Sequence, residues 1–365
     1  MNVLNRKIAI NYKKGFIILL AILTPLFSKG ANIHVSDTLQ NEQAKSVKKD
    51  NFFWDVVNFI DRLLEQDTAY VAPNKFNLSL MPQYIYGYEY YRFATEKSEQ
   101  SITIIPTSNN KLGVSFGWRW LSGSYNITLD KIQPDFDMTL NLYCSRAGLE
   151  LFYRKRSDGF KIRSIKGFNE NGAPLTNYIT DFDGLTTSQI GANAFYVFNY
   201  KKFSFPAAFS QSTIQRINAG SLILGLSYNE QKFDFDHTKI DTRIERLMMP
   251  ELQFKKVDYK DISINLGYSY NWVFAKNFLA NITVSPAVGY KHTSTTSNVN
   301  RSKEVMSNIN FDLISRLALV YNNGKYYAGT SLVSHTYSYK KPSLSITNGF
   351  GYLKVYAGFY FWRKK

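Results

Sequence analysis

The chain has 365 residues, 44% of them hydrophobic and 16% aromatic, and its 44 Lys and Arg against 28 Asp and Glu leave a formal charge of +16. A balance this polar excludes a bundle of membrane helices. The single cysteine, Cys144, excludes an internal disulfide framework and gives no support to a cysteine metal cluster.

The first 30 residues read as an export signal. Lys7, Lys13 and Lys14 precede the apolar run from Gly15 to Leu23, weakly extended to Phe27, and Ser28-Lys29-Gly30-Ala31 supplies small residues for cleavage near Gly30 or Ala31. The run is too short for a comfortable membrane span, although an uncleaved anchor is the alternative. No cysteine lies near the cleavage point, so no lipoprotein is expected. No later stretch approaches the roughly 20 apolar residues of a membrane helix, so any further insertion has to be as a β-barrel. The expected location is the outer membrane of a Gram-negative bacterium.

Residues 31–73 form a polar leader that ends in a short amphipathic helix. Phe53, Val56, Val57, Ile60, Leu63 and Leu64 recur at helical spacing, which predicts a helix from Phe53 to Glu65.

From residue 74 to 365 the pattern changes to period two. Between Lys111 and Trp120, Leu112, Val114, Phe116, Trp118 and Trp120 alternate with Gly113, Ser115, Gly117 and Arg119. Between Asp261 and Tyr270, Ile262, Ile264, Leu266, Tyr268 and Tyr270 alternate with Ser263, Asn265, Gly267 and Ser269. Side chains alternate faces along a strand, so each stretch presents one apolar face ending in aromatics and one small, polar face. Lipid outside and a polar lumen inside account for both. The 26 Tyr and 27 Phe suit aromatic girdles at the membrane edges. An aromatic-rich soluble sandwich is the competing architecture.

Fifteen stretches qualify as strands: 75–90, 100–106, 111–121, 123–130, 137–144, 148–156, 159–165, 187–199, 203–212, 217–229, 260–272, 277–290, 307–321, 325–339 and 351–362. Thr107-Ser-Asn-Asn110, Ser157-Asp-Gly159 and Asn322-Asn-Gly324 separate some of them with good turn chemistry. With both ends periplasmic, the segments 230–259 and 291–306 fall outside as long loops, and 271–276 and 322–324 fall inside as short turns. The long segment 166–186 then lands inside, against the rule, and an odd count cannot close with both ends on one side. At least one assignment has to be dropped. The expectation is an all-β, antiparallel transmembrane barrel of about 12 strands, with 10 to 14 possible. The last strand alternates Val355, Ala357, Phe359 and Phe361 with Lys354, Tyr356, Gly358 and Tyr360, and resembles the terminal strand read by the barrel-assembly machinery, an expected partner during biogenesis.

Gly191-Ala-Asn-Ala-Phe-Tyr-Val-Phe-Asn199, followed by Lys202-Phe-Ser-Phe, Ala207-Ala-Phe, Gln211 and Ala219-Gly-Ser221, resembles a family of exported Bacteroidetes proteins described only as a domain of unknown function. Asp67-Thr-Ala-Tyr70 resembles the start of that family, so the likeness spans roughly 50–365. The resemblance implies a barrel-like fold and location, and it carries no catalytic residues.

The basic charge has a lipid reading. No nucleic-acid signature accompanies it, so nucleic acid is not expected as a partner. Anionic lipid, lipopolysaccharide above all, is. Gly113-Val-Ser-Phe-Gly117 has the spacing of a nucleophile elbow but lies within a strand, where small lumen residues explain it better. His34, His237, His292 and His335 show no metal spacing, and Asp234-Phe-Asp236-His237 reads as a solvated strand end rather than a calcium site. No catalytic, cofactor or metal residue is assigned. The site candidates are charges on the lumen face: Arg119, Glu150, Arg154, Asp312 and Arg316. Such a network plugs a small barrel, or it lines a channel or ligand site. The functional expectation is a non-catalytic outer-membrane barrel, a small-solute pore or a surface structural protein. The alternatives are a lipid-modifying enzyme using Ser334-His335 or Ser294 and His292, and a soluble periplasmic binding protein.

Overall fold

A chain with one apolar and one polar face per strand buries both only if the sheet closes on itself. The computed structural model shows that closure. It describes residues 64–95, 100–129, 135–170, 173–174, 179–297, 303–339 and 345–363. The expected export signal, and the leader and helix up to Leu63, lie outside the described residues.

Twelve antiparallel strands form the barrel: β1 (Phe76–Ala94), β2 (Asn110–Trp118), β3 (Leu121–Thr128), β4 (Phe136–Tyr143), β5 (Ala147–Arg156), β6 (Leu185–Val197), β7 (Ala219–Phe235), β8 (Phe254–Ala275), β9 (Phe278–Ser297), β10 (Lys303–Asn322), β11 (Tyr326–Tyr339) and β12 (Ser345–Arg363). Each pairs with the next in sequence, and β12 pairs with β1 to close the ring, Val355 facing Tyr84. Both chain ends therefore emerge on one side. Short turns lie on that side between β2 and β3, β8 and β9, and β10 and β11, while the longer connections lie opposite, apart from that between β6 and β7. This is the loop asymmetry of an outer-membrane barrel.

The register places the apolar residues outward together. Ile264 faces Leu226 on β7 and Val288 on β9, and all three are at least half exposed on the barrel wall. Exposed aromatics bound this belt at the terminal end, including Trp272, Phe278, Tyr326 and Phe359. Tyr153, Tyr228 and Tyr290 bound it at the other. On β8 the belt runs from Ile262 to Trp272, the roughly nine to eleven residues that cross a bilayer as a tilted strand. Beyond it the outward positions turn charged: Lys155, Glu230, Lys232, Asp258 and Lys260. No described helix is long and apolar enough to cross a membrane.

Three of the fifteen expected strands are not part of the wall. Residues 100–106 and 159–165 are strands, but they sit above the membrane belt. Ser101–Pro106 pairs with the upper end of β1, Phe160–Lys166 with Ser101–Pro106, and Thr180–Phe182 with Phe160–Lys166. Residues 203–212 hold a short helix, α1 (Phe205–Phe209), because Pro206 cannot donate to a ladder and Ser204 caps the turn by accepting from the Ala207 amide. Without these three, twelve remain. The segment 166–186 then lies on the outer side, which removes the violation of the loop rule.

The outer strands form a crown with its own core. Tyr91, Phe93, Ile102, Ile104, Phe160, Ile162, Phe182, Phe233, Phe235, Phe254 and Val257 are fully buried in it, joined by Ile244 from α2 (Thr242–Leu247). β1 and β7 stand on opposite sides of a twelve-strand ring. Even so, the Tyr91 and Phe233 rings lie 5.0 Å apart, and those of Phe93 and Phe254 also 5.0 Å. Above the membrane belt the two walls therefore collapse onto each other and shut the outer mouth. Each buried Phe contributes about 1.5–3 kcal/mol, which drives the closure.

The terminal mouth is closed by the β6–β7 connection, which folds into the lumen. Phe203, Phe205, Ala207 and Ala208 are buried against Tyr143, Phe195, Leu279 and Val320 of the wall. Thr213–Gln215 pairs with Val71–Pro73 of the incoming chain, so the approach segment is part of this plug. Asp67 starts that segment with a turn, its side chain accepting from the Ala69 amide at 2.9 Å.

Candidate functional site

Between crown and plug lies a chamber of about 190 Å³ lined by both polar and apolar side chains. Its walls are the inward positions of the barrel strands. Small residues make room for it: Ser115 of β2, Ser124 of β3 and Thr139 of β4 line one side, and Ser124 and Thr139 share a hydrogen bond at 2.6 Å. Strand pairing sets the height of each charged residue.

Two of the expected lumen charges meet. Arg316 of β10 reaches across to Glu150 of β5, Nη2 to Oε2 2.9 Å. The same carboxylate accepts from Tyr143 Oη at 2.6 Å and Asn193 Nδ2 at 2.9 Å. The guanidinium lies 5.8 Å from the ring centroid of Phe205, so this pair abuts the plug. Arg154 stands 3.7 Å from Asp137 and lies over the rings of Phe350 and Phe152. Asp312 is buried on the inward face of β10, two inward positions from Arg316, whose ion pair goes to Glu150 instead. Arg119 is not on a strand. It occupies the β2–β3 turn with φ 54°, its amide donating to the Asn77 carbonyl and its guanidinium lying over Trp118.

The structure adds residues that the sequence did not single out as lumen charges. Lys111 pairs with Asp137, and Arg156 with Asp135 at 3.0 Å. Lys291 lies 3.9 Å from Asp261 and over the Tyr259 ring. His335 faces the chamber and stacks on Phe350, centroids 4.6 Å apart and planes within 8°. Lys354 lines the chamber over the ring of Tyr356 at 5.1 Å. The signal for all of them was parity, since each shares the inward face of its strand with small or polar residues. Spacing alone could not say which inward charges share a height.

The expected nucleophile candidates are separated by the same parity. Ser334 points to the opposite face from His335. Ser115 Oγ donates to the Gly123 carbonyl at 3.1 Å from within a continuing strand. Among the described residues no group of three His, Cys, Asp or Glu could hold a metal ion. In the crown loop His237 Nδ1 stands 3.2 Å from Glu245. Asp236 takes hydrogen bonds from the Thr238 hydroxyl and amide, which hold its carboxyl below the usual range. Asp241 is held low chiefly by Arg243.

A family model described as Domain of unknown function (DUF4421) matches residues 65–361. Among curated proteins none matches this chain. Three solved structures align over most of its length. The outer-membrane protease OmpT of Escherichia coli shows 8% identity and a TM-score of 0.39, covering 80% of this chain and 98% of its own. Ail, the attachment invasion locus protein of Yersinia pestis, shows 7% and 0.24, covering 77% and 99%. The toluene transporter TodX of Pseudomonas putida shows 5% and 0.26, covering 79% and 91%. At these scores no role passes from any of them to this chain.

Proposed function

We propose that this chain, which belongs to the family described as Domain of unknown function (DUF4421), is an integral outer-membrane barrel whose lumen is shut at rest and holds or passes a small solute, without catalysis. The barrel itself is closed and twelve-stranded. One observation carries the role: the lumen is obstructed at both ends by packed protein, the aromatic crown above and the α1 plug below, with a charged chamber between them. A lumen that served only to be filled would not need a chamber. A constitutively open pore would not need a plug. Outward lysines just beyond the apolar belt, Lys155, Lys232 and Lys260, sit at the height of lipid headgroups, where lipopolysaccharide phosphates are their proposed partner. Glu230 and Asp258 offset part of the lysines' charge, and the exposed contact weakens as salt rises.

Cell fractionation tests the reading, with the extracted protein run unheated and heated on a gel. Recovery from the outer membrane with a heat-dependent mobility shift is the expected result. Recovery as a soluble protein without a shift overturns it.

A further inference from the structure

Among the described residues, every lysine and arginine lining the chamber is paired except one. Lys111, Arg154, Arg156 and Arg316 each stand within 4 Å of a carboxylate. Lys354 has no carboxylate at that range among the described residues. Among the same residues its charge meets the face of Tyr356. Its neighbours across the strand pairs are Ser331 of β11 on one side and Ile85 of β1 on the other, and all three line the chamber. Directly paired inward residues hold their Cβ atoms within about 5.5 Å, so one oxyanion can meet the Lys354 ammonium and the Ser331 hydroxyl together. Leaving a cation in a confined lumen without a counter-charge is costly, and an anion bound there removes the cost.

The surroundings narrow the anion. The other chamber cations are committed to protein carboxylates, so a single positive charge is on offer and a monoanion matches it. Ile85, Val333 and the Tyr352 ring supply an apolar wall beside the charge, and the Tyr356 ring lies against the ammonium. Ligand sites of this kind combine a mostly apolar lining with one or two polar anchors. We propose that Lys354 and Ser331 form a binding site for a monocarboxylate with an apolar body. The site adjoins the plug, because the Tyr356 hydroxyl beneath Lys354 accepts a hydrogen bond from Gln211 Nε2 of the plug loop at 2.8 Å. The proposal rests on the shut-barrel reading.

Equilibrium dialysis of the detergent-extracted full chain tests it, with radiolabelled benzoate as the monoanion, benzamide as its neutral counterpart and protein-free micelles as the blank. The wild-type chain is expected to bind benzoate saturably and benzamide at least about tenfold more weakly, the worth of one charge-assisted contact. Lys354→Met is expected to weaken benzoate by about tenfold and Ser331→Ala by a smaller factor, while Lys255→Met, exposed and outside the chamber lining, leaves it unchanged. Equal binding of the two probes, no saturable binding of benzoate, or full binding to Lys354→Met overturns the site. Where Lys354→Met loses the heat-dependent shift, Lys354→Gln replaces it, and the benzoate–benzamide contrast on wild type decides alone. A wild-type chain without the shift points instead to failure of the barrel reading.

Discussion

Glycine and phenylalanine interlock across the β5–β6 pair. A Cβ on Gly191 would lie 2.1 Å from Phe152 Cζ, and one on Gly148 would lie 2.2 Å from Phe195 Cζ. Phe195 in turn packs on Phe205 of the plug, centroids 4.6 Å apart. This explains the Gly191–Asn199 block physically. Its glycine accepts a ring, its Phe195 seats the plug, and Tyr196 and Phe198 point out to the membrane edge. Gly191→Val should destabilise the barrel by about 1–3 kcal/mol, read as a lower denaturation midpoint in detergent. At β10, lipid-facing Leu317→Arg should cost about 2–4 kcal/mol and impair insertion, whereas inward Arg316→Leu should insert normally. Equal membrane yields of the two would overturn the register. In the crown loop, Asp236 has a carboxyl lowered by its hydrogen bonds to Thr238. A carboxyl lowered in the folded state adds stability above its unfolded pKa, and that contribution is lost as pH falls through the folded value. Acid below the ordinary carboxylate range should therefore release the Thr238 amide from protection against hydrogen exchange while the β8 amides stay protected.

At the scale of elements, the β6–β7 connection is the long exception among the short turns of the terminal side because it is a plug rather than a turn. Asn271 Nδ2 donates to the Ser204 carbonyl at 2.8 Å, Asn322 Nδ2 to that of Gln211 at 3.2 Å, and Gln211 Nε2 to Tyr356 Oη. Polar latches of this kind are each worth about 0.5–1.5 kcal/mol, so the plug is held by many modest contacts. Replacing Asn199–Asn218 with an Asn-Gly turn should leave the wall paired and open the terminal side of the chamber. Planar-bilayer recordings should show no steady current for wild type and increased channel activity for this variant. An equally silent variant would assign the seal to the crown alone.

For the whole molecule, one closed sheet serves two solvents. In the membrane it is a barrel with lipid outside. Above the membrane the same strands continue, add the three crown strands and collapse onto an aromatic core. The folded chain should therefore resist heating in detergent until both layers unfold, and the unheated gel band should migrate apart from the heated one. Removing the crown core with Phe93→Ala should lower the temperature of that shift, at a cost of about 3–5 kcal/mol. An unchanged transition would mean that the crown melts independently of the wall.

The membrane face, the antiparallel barrel of about 12 strands and the loop asymmetry were legible from sequence alone, because all of them follow from side-chain parity along a strand. Residues 100–106, 159–165 and 203–212 misled it. The first two carry true strand patterns, and parity cannot tell a wall strand from a crown strand. The third is an apolar run whose Pro206 and Ser204 favour a turn of helix once it is enclosed. Three-dimensional packing was needed to show that the walls meet at Tyr91 and Phe233, that Glu150 serves Arg316 rather than another cation, and that no described carboxylate lies within 4 Å of Lys354. Those facts depend on which residues share a height across the ring. That is fixed by closure and register between strands far apart in the chain, and no local pattern encodes it.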